Sequence, residues 1–282
     1  MTGKIFAIEE FSTYDGPSMR TTVFMKGCPL SCSWCHNPEG QRFETEYLRN
    51  PNGCVHCGNC ERVGRVKDGE LRLTEESVRV CSQGLVRKCG EDYTPQALAE
   101  KLNRNAQILR SFDGGITFSG GEPLCATDFI IETVRYLEKG LHVALQTSGF
   151  ADENTFRKAL SACDYVLFDL KIMDKEKFRL FCGADNDKIL NNYGVLVKSG
   201  KAFVTRVPLI PAVTDTQENL TAIARFMQGY GVTYAELLPY NPFAGSKYAQ
   251  TLRTYTPRFD EKAPLNYGKE IFAQHGINIK IM

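Results

Sequence analysis

The chain carries almost no surplus of either charge: 34 Lys and Arg face 33 Asp and Glu, a formal net charge of +1 over 282 residues. So balanced a sum excludes an overall field that would draw the protein to nucleic acid or to an anionic membrane. Long apolar runs are missing too, and nothing approaches the roughly 18 consecutive apolar residues that a membrane-crossing helix needs. At the N-terminus, Glu9 and Glu10 fall where a signal peptide would need its apolar centre. The expectation is a cytoplasmic, monomeric protein with neither nucleic acid nor membrane as partner.

With 43% hydrophobic and 24% charged residues, the composition is that of an ordinary globular chain. At this length about three quarters of the unfolded surface is buried on folding, so the fold need not lean on crosslinks. Eleven cysteines therefore ask for another explanation. In a reducing compartment, clustered cysteines act as metal ligands or catalytic groups more often than as disulfides. Eight of them lie between residues 28 and 89: Cys28, Cys32 and Cys35 as CxxxCxxC, Cys54, Cys57 and Cys60 as CxxCxxC, then Cys81 and Cys89. Cys125, Cys163 and Cys182 stand alone and read as small hydrophobes.

Beyond residue 92, apolar runs of strand length alternate with amphipathic segments, the pattern of repeated βα units around a parallel sheet. Strands are expected from Thr21, Gly114, His142, Tyr165, Ala202 and Ala235. Between them TPQALAEKLNRNAQIL, TDFIIETVRYLEKG, ENTFRKALSAC, NDKILNNYGVLVKSG and DTQENLTAIARFMQGYG show helical spacing. Polar or glycine-rich clusters close nearly every strand, at the rim where barrel-like α/β folds hold their active sites. Residues 50–92 break the alternation and read as an inserted module.

Three thiolates within eight residues are one fewer than a cubane iron-sulfur cluster needs to ligate every iron, and an open metal position marks a catalytic site. A zinc knuckle with a remote fourth ligand, or three buried thiols, would have the same spacing. The surrounding residues decide between these. GCPLSCSWCHNPE resembles the cluster loop of the radical S-adenosylmethionine (SAM) superfamily. The blocks YDGPSMR, SGGEP, TSGF, DLK, GADNDKILNN, RVPLIP and LLPYNPFAGSKY, in this order, are similar to those of the activating enzymes of glycyl radical enzymes, pyruvate formate-lyase activating enzyme among them.

The resemblance implies an α/β fold, a partial (β/α)6 TIM-like barrel of residues 1–49 and 93–282 with a small ferredoxin-like cysteine-rich insertion at 50–92. It implies that Cys28, Cys32 and Cys35 hold a 4Fe-4S cluster whose fourth iron binds SAM. Reductive cleavage of SAM then gives methionine and a 5′-deoxyadenosyl radical, which takes a hydrogen from a backbone glycine of a partner glycyl radical enzyme. The electron would come from flavodoxin or ferredoxin. Gly120 and Gly121, which end a strand, are expected to let a ligand approach the backbone. Glu122 is expected to accept from the SAM ammonium. The resemblance puts Trp34, Thr147, Ser148, Asp169, Lys171 and Arg206 in the same neighbourhood, with Lys171 and Arg206 suited to a carboxylate or to ribose hydroxyls.

Four positions depart from the family pattern. Ser18 replaces a glycine, Gln146 an acidic residue that can help bind a monovalent cation, Asn241 a histidine and Cys182 a threonine. No cation site is expected beside Gln146, since a neutral amide attracts a hard cation less than a carboxylate does.

In the insertion, Cys54, Cys57 and Cys60 lack the next CP of a ferredoxin run. Cys81 in VCSQGL is the preferred fourth ligand, with Cys89 as substitute. The module could hold a second 4Fe-4S cluster, a structural zinc, or nothing. His56 is a weak additional candidate. Two other readings compete with the activating enzyme. One is a radical SAM enzyme acting on a small molecule or peptide, and the other is a non-enzymatic electron carrier or zinc module, which would not need SGGEP, TSG or DLK at strand ends.

Overall fold

The computed structural model describes all 282 residues. One open sheet of nine strands organises it: β1 (Gly3–Ser12), β2 (Arg20–Met25), β3 (Glu91–Tyr93), β4 (Gly115–Gly120), β5 (His142–Thr147), β6 (Tyr165–Asp169), β7 (Ala202–Leu209), β8 (Tyr234–Pro239) and β9 (Asn278–Ile281). Their order is β9-β8-β7-β6-β5-β4-β2-β1-β3, parallel from β2 through β9 and antiparallel at β1 and β3. All six strands expected from apolar runs are present. The hairpin strand β1 was not among them, because exposed Glu9 and Glu10 obscure its alternation.

The helices are α1 (Pro95–Asn103), α2 (Ala106–Ser111), α3 (Thr127–Tyr136), α4 (Glu153–Ser161), α5 (Lys175–Cys182), α6 (Asp187–Ser199), α7 (Gln217–Gly229), α8 (Ala244–Gln250) and α9 (Lys269–Gln274); most pack against one face of the sheet, whereas α8 lies against the Pro38–Gly40 turn and the strand Glu46–Arg49. None is long and apolar enough to cross a membrane. The Thr94 hydroxyl caps α1 by accepting from Ala97 N at 3.2 Å, with Pro95 in the first turn. The single helix expected over TPQALAEKLNRNAQIL is broken at Arg104–Asn105. There Asn103 turns to a neighbouring loop, donating to Tyr136 O and accepting from Glu138 N.

The strand period of two sorts the sheet into two faces. Ile116, Phe118, Val143, Leu145, Val166, Phe168 and Val207 point to the helices and belong to one core of 44 buried residues. The alternate positions face the concave side, where Ala144, Leu167 and Val204 form a small apolar floor. The loop before β2 plugs the barrel beneath that floor. Asp15 O accepts from Thr117 Oγ1, and the fully buried Arg20 reaches Thr117, Pro17 O and His142. Ser18, in this plug, sits at φ +60°, a left-handed conformation that glycine adopts without strain. The family glycine therefore has a local reason.

Residues 50–90 leave the sheet through a two-stranded ladder, Glu46–Arg49 with Val86–Cys89, and the end expected for the insertion at residue 92 falls inside β3. They carry a second ladder, Arg65–Lys67 with Glu70–Arg72, two short helices at Asn59–Arg62 and Glu75–Val80, and a small core of Cys60, Leu73 and Val86.

Candidate active site

The loop after β2 is fastened on both flanks by backbone hydrogen bonds. Gly27 N and Cys28 N donate to Gly40 O and Gln41 O at 2.8 and 2.9 Å, while Ser31 N and Ser33 N donate to Cys182 O and Phe181 O at the end of α5. So held, Cys28, Cys32 and Cys35 all open onto one cleft of about 480 Å³ at the C-terminal ends of the strands. Such a volume suits a cofactor-sized ligand. Burial, then the charge of Glu122, pushes the Cys28 thiol up. Contact with the Cys182 thiol, then burial, does the same to Cys32, and Cys35 is pushed up to about 12 by burial and then by Cys32. Bare thiolates are disfavoured here, so the set suits a metal centre that supplies the missing positive charge.

The cleft is also lined by Trp34, Gly120, Gly121, Glu122, Thr147, Ser148, Asp169 and Lys171. Glu122 is only 2% exposed. Its Oε1 accepts from Thr147 Oγ1 and from Leu124 N, and its Oε2 from Ser148 N at 3.0 Å and Ser148 Oγ at 2.6 Å. Burial raises its pKa, and these donors oppose the rise. Thr147 and Ser148 thus hold the carboxylate in place. Lys171 Nζ donates to Asp169 Oδ2 at 2.8 Å. Burial works against the ammonium, but the charges of Asp169 and the Cys32 site outweigh it and hold the Lys171 pKa above its usual value. The other oxygen, Asp169 Oδ1, is buried without a partner, an open acceptor at the cleft for a hydroxyl or ammonium.

Two of the expected site features have a structural setting of their own. Gly120 and Gly121 are required by the sheet itself. A Cβ on Gly120, at φ +120°, would stand 2.3 Å from Met25 N and O, and one on Gly121 would stand 2.3 Å from Gly27 O. Close approach of backbone to backbone accounts for both glycines without a ligand, and both also line the cleft. Arg206 is not among the cleft residues. It is 3% exposed, donates from Nε to Glu236 Oε2 at 2.8 Å and from Nη2 to Tyr14 O at 2.6 Å, and so ties β7 to β8 and to the plug.

Several cleft residues escaped sequence reasoning, among them His36, Asn37, Phe243 and Lys247, with Lys247 Nζ donating to Asn37 Oδ1 at 2.8 Å. His36 and Asn37 lie within the CHNPE block, a signal that could have found them. Ser119 and Gln146 face each other across β4 and β5, Ser119 Oγ donating to Gln146 Oε1 at 2.9 Å.

In the insertion, Cys54, Cys57, Cys60 and Cys81 line one small cavity together with Arg49 and Leu85. Leu85 N donates to Cys81 Sγ at 3.3 Å, and this bond, with those of nearby backbone amides, lowers the Cys81 pKa against a small burial penalty. Arg49 Nη1 reaches Cys60 Sγ at 3.6 Å. Cys89 lies elsewhere, buried with its thiol toward Glu39 O at 3.9 Å, and His56 is not among the lining residues. No group of three His, Cys, Asp or Glu side chains is placed to hold a single metal ion.

The sequence pattern of the Radical SAM superfamily matches residues 22–224. The chain is 33% identical to the 4-hydroxyphenylacetate decarboxylase activating enzyme of Clostridioides difficile (strain 630), over 98% of this chain and 95% of that one. It is 30% identical to the trans-4-hydroxy-L-proline dehydratase activating enzyme of Clostridioides difficile, over 100% and 99%. Among solved structures, QueE from Escherichia coli shares the fold, with a TM-score of 0.51 at 14% identity over 100% of this chain and 94% of that one.

Proposed function

We propose, for a chain that belongs to the radical SAM superfamily and within it to the activating enzymes of glycyl radical enzymes, that Cys28, Cys32 and Cys35 ligate a 4Fe-4S cluster and that SAM lies beside it in the cleft. The observation that carries this reading is the convergence of three desolvated thiols on a cleft whose facing wall presents the unpartnered Asp169 Oδ1. Three thiolates leave one iron of a 4Fe-4S cluster without a protein ligand, the open position that SAM would take. When bound, the cluster and SAM supply one-electron cleavage of the sulfonium and hydrogen abstraction from a glycine of the partner enzyme.

The chain's own residues orient and enclose. Asp169 offers its open oxygen to the ribose or to the ammonium of SAM, and Lys171 holds the other oxygen of that carboxylate. Glu122 faces the methionine end, fixed by Thr147 and Ser148, which act through it. The backbone of Gly120 and Gly121 forms the adjoining edge, and Trp34, 4% exposed, gives the cleft an apolar flank for the adenine. Arg206 braces the floor beneath them and makes no direct contact.

The reading extends to the insertion. The insertion forms a module in which Cys54, Cys57, Cys60 and Cys81 hold a second 4Fe-4S cluster, and the four-thiol cavity supports this. The setting is a reducing cytoplasm, in keeping with eleven free cysteines. A flavodoxin- or ferredoxin-type protein donates the electron, and the activating enzyme works as a monomer. Relatives of similar identity are named for a decarboxylase and a dehydratase, so this level of similarity marks the activating role and not one partner. Anaerobic incubation of the reduced protein with SAM tests the assignment: the wild type should form 5′-deoxyadenosine and Cys32→Ala none. Undiminished cleavage by Cys32→Ala would overturn it.

A further inference from the structure

The cysteine loop has a second open side. Behind it lies a cavity of about 550 Å³ lined by Cys32 and Ser33 of the loop, Arg179 and Leu180 of α5, and Tyr255 and Arg258 of the segment after α8. Cys32 is the one residue that lines both this cavity and the cleft at the strand ends. The loop is held firmly between the two spaces. Ser31 N and Ser33 N donate to Cys182 O and Phe181 O on either side of Cys32, and a Cβ on Gly183, at φ +77°, would stand 2.1 Å from Ser31 Oγ. The four-cysteine cavity of the insertion shares no residue with either space.

Charge and exposure at the second cavity are uneven. Two arginines and no carboxylate line it. Asp185 and Glu176 already neutralise Arg179. Arg258 has no ion-pair partner, and its Nη1 donates instead to Leu180 O at 3.1 Å. Arg253, which donates from Nη1 to Gln41 Oε1 of the same wall at 2.8 Å, has no carboxylate partner either. Beside these cations the Leu180 side chain stands 56% exposed at the rim.

We infer that this cavity is the docking site of the electron donor, a small protein with acidic side chains round its redox centre, and that the electron enters the catalytic cluster on the Cys32 side. The inference rests on the assignment of Cys28, Cys32 and Cys35 as cluster ligands. With SAM and the partner's glycine in the cleft, a donor has to approach from another face, and Cys32 is where the second face opens. Arg258 and Arg253 attract the acidic rim of the donor, and Leu180 supplies an apolar contact within it. One electron passes from donor to cluster, and no bond forms or breaks.

Stopped-flow reduction of the SAM-free holoprotein by a reduced acidic flavodoxin, followed by the loss of cluster absorbance, tests this. Arg258→Glu should slow the reaction about tenfold at low ionic strength, and the difference should shrink as salt screens the charges. Arg258→Lys keeps the charge and should stay near the wild-type rate, while Leu180→Asp should slow the reaction as Arg258→Glu does. Photoexcited deazaflavin, a small reductant with no docking surface, should reduce every variant as it does the wild type. Undiminished flavodoxin rates in Arg258→Glu and Leu180→Asp would overturn the inference and route the electron through another face. Equal slowing with both reductants would overturn it too, because the effect would then lie in the cluster and not in docking. An iron content unchanged by replacement of Cys28, Cys32 and Cys35 with alanine would remove the ligand assignment, and the inference with it.

Discussion

Gly120→Ala separates two explanations of the SGGEP turn. If the glycine exists to admit a ligand, alanine weakens SAM binding and leaves the apoprotein's stability intact. The structure predicts the opposite order of effects. At φ +120° an L-residue costs roughly 1 to 3 kcal/mol. The added Cβ would also stand 2.3 Å from the backbone N and O of Met25, atoms of a central parallel strand that cannot swing aside. Overpacking of this kind costs a further 1 to 3 kcal/mol or so. The sum, about 4 kcal/mol, is a large part of the 5 to 15 kcal/mol of a typical domain. With a urea slope of about 3 kcal/mol/M, the midpoint of the metal-free protein should fall by more than about 1 M. Anaerobic urea unfolding followed by circular dichroism reads this directly. An unchanged midpoint together with weakened SAM binding would refute the backbone argument and restore the ligand explanation.

Three further outcomes follow from other parts of the molecule. Ser18→Gly and Ser18→Ala both lose the hydroxyl's bond to Phe112 O, but only alanine keeps the left-handed strain; glycine should be the more stable of the two by about 1 kcal/mol in thermal unfolding, and equal stability would contradict the assigned strain. Burial and then the charge of Arg20 hold the His142 pKa below 6.5, so the folded state binds fewer protons than the unfolded one. Stability should therefore be full above about pH 6.5 and fall as pH drops from there toward the folded-state pKa; His142→Gln should flatten that slope, and an unaltered slope would exclude His142 as its source. Cys81→Ala should remove the insertion's iron while Cys89→Ala leaves it, as iron analysis after reconstitution would show; the reverse pattern would move the fourth ligand to Cys89.

Much of the scaffold was legible because the physics that orders it is local. The apolar runs that became β4 through β8 stand out by length and alternation, and the polar residues that close them fall at the rim because a parallel sheet puts every strand's C-terminal end on one side. What the sequence hid depends on pairings between distant residues. Arg206 read as a cofactor ligand because nothing in RVPLIP shows that Glu236 sits beside it in register across β7 and β8. Glu122 read as a rim carboxylate free to bind an ammonium, yet Thr147 and Ser148, one strand away, surround it. Helix α5 went unread because KEKFRLFC is short and half charged, and with it went the contact of Cys182 O with Ser31 N of the cysteine loop.

Anaerobic reconstitution followed by iron counting, on the wild type and on the Cys28, Cys32, Cys35 triple alanine variant, tests the central claim most directly. About eight irons in the wild type falling to about four in the variant is the predicted result, with the four remaining irons in the insertion. An iron content unchanged by the triple substitution would contradict the account, because the cleft would then hold no cluster on those cysteines.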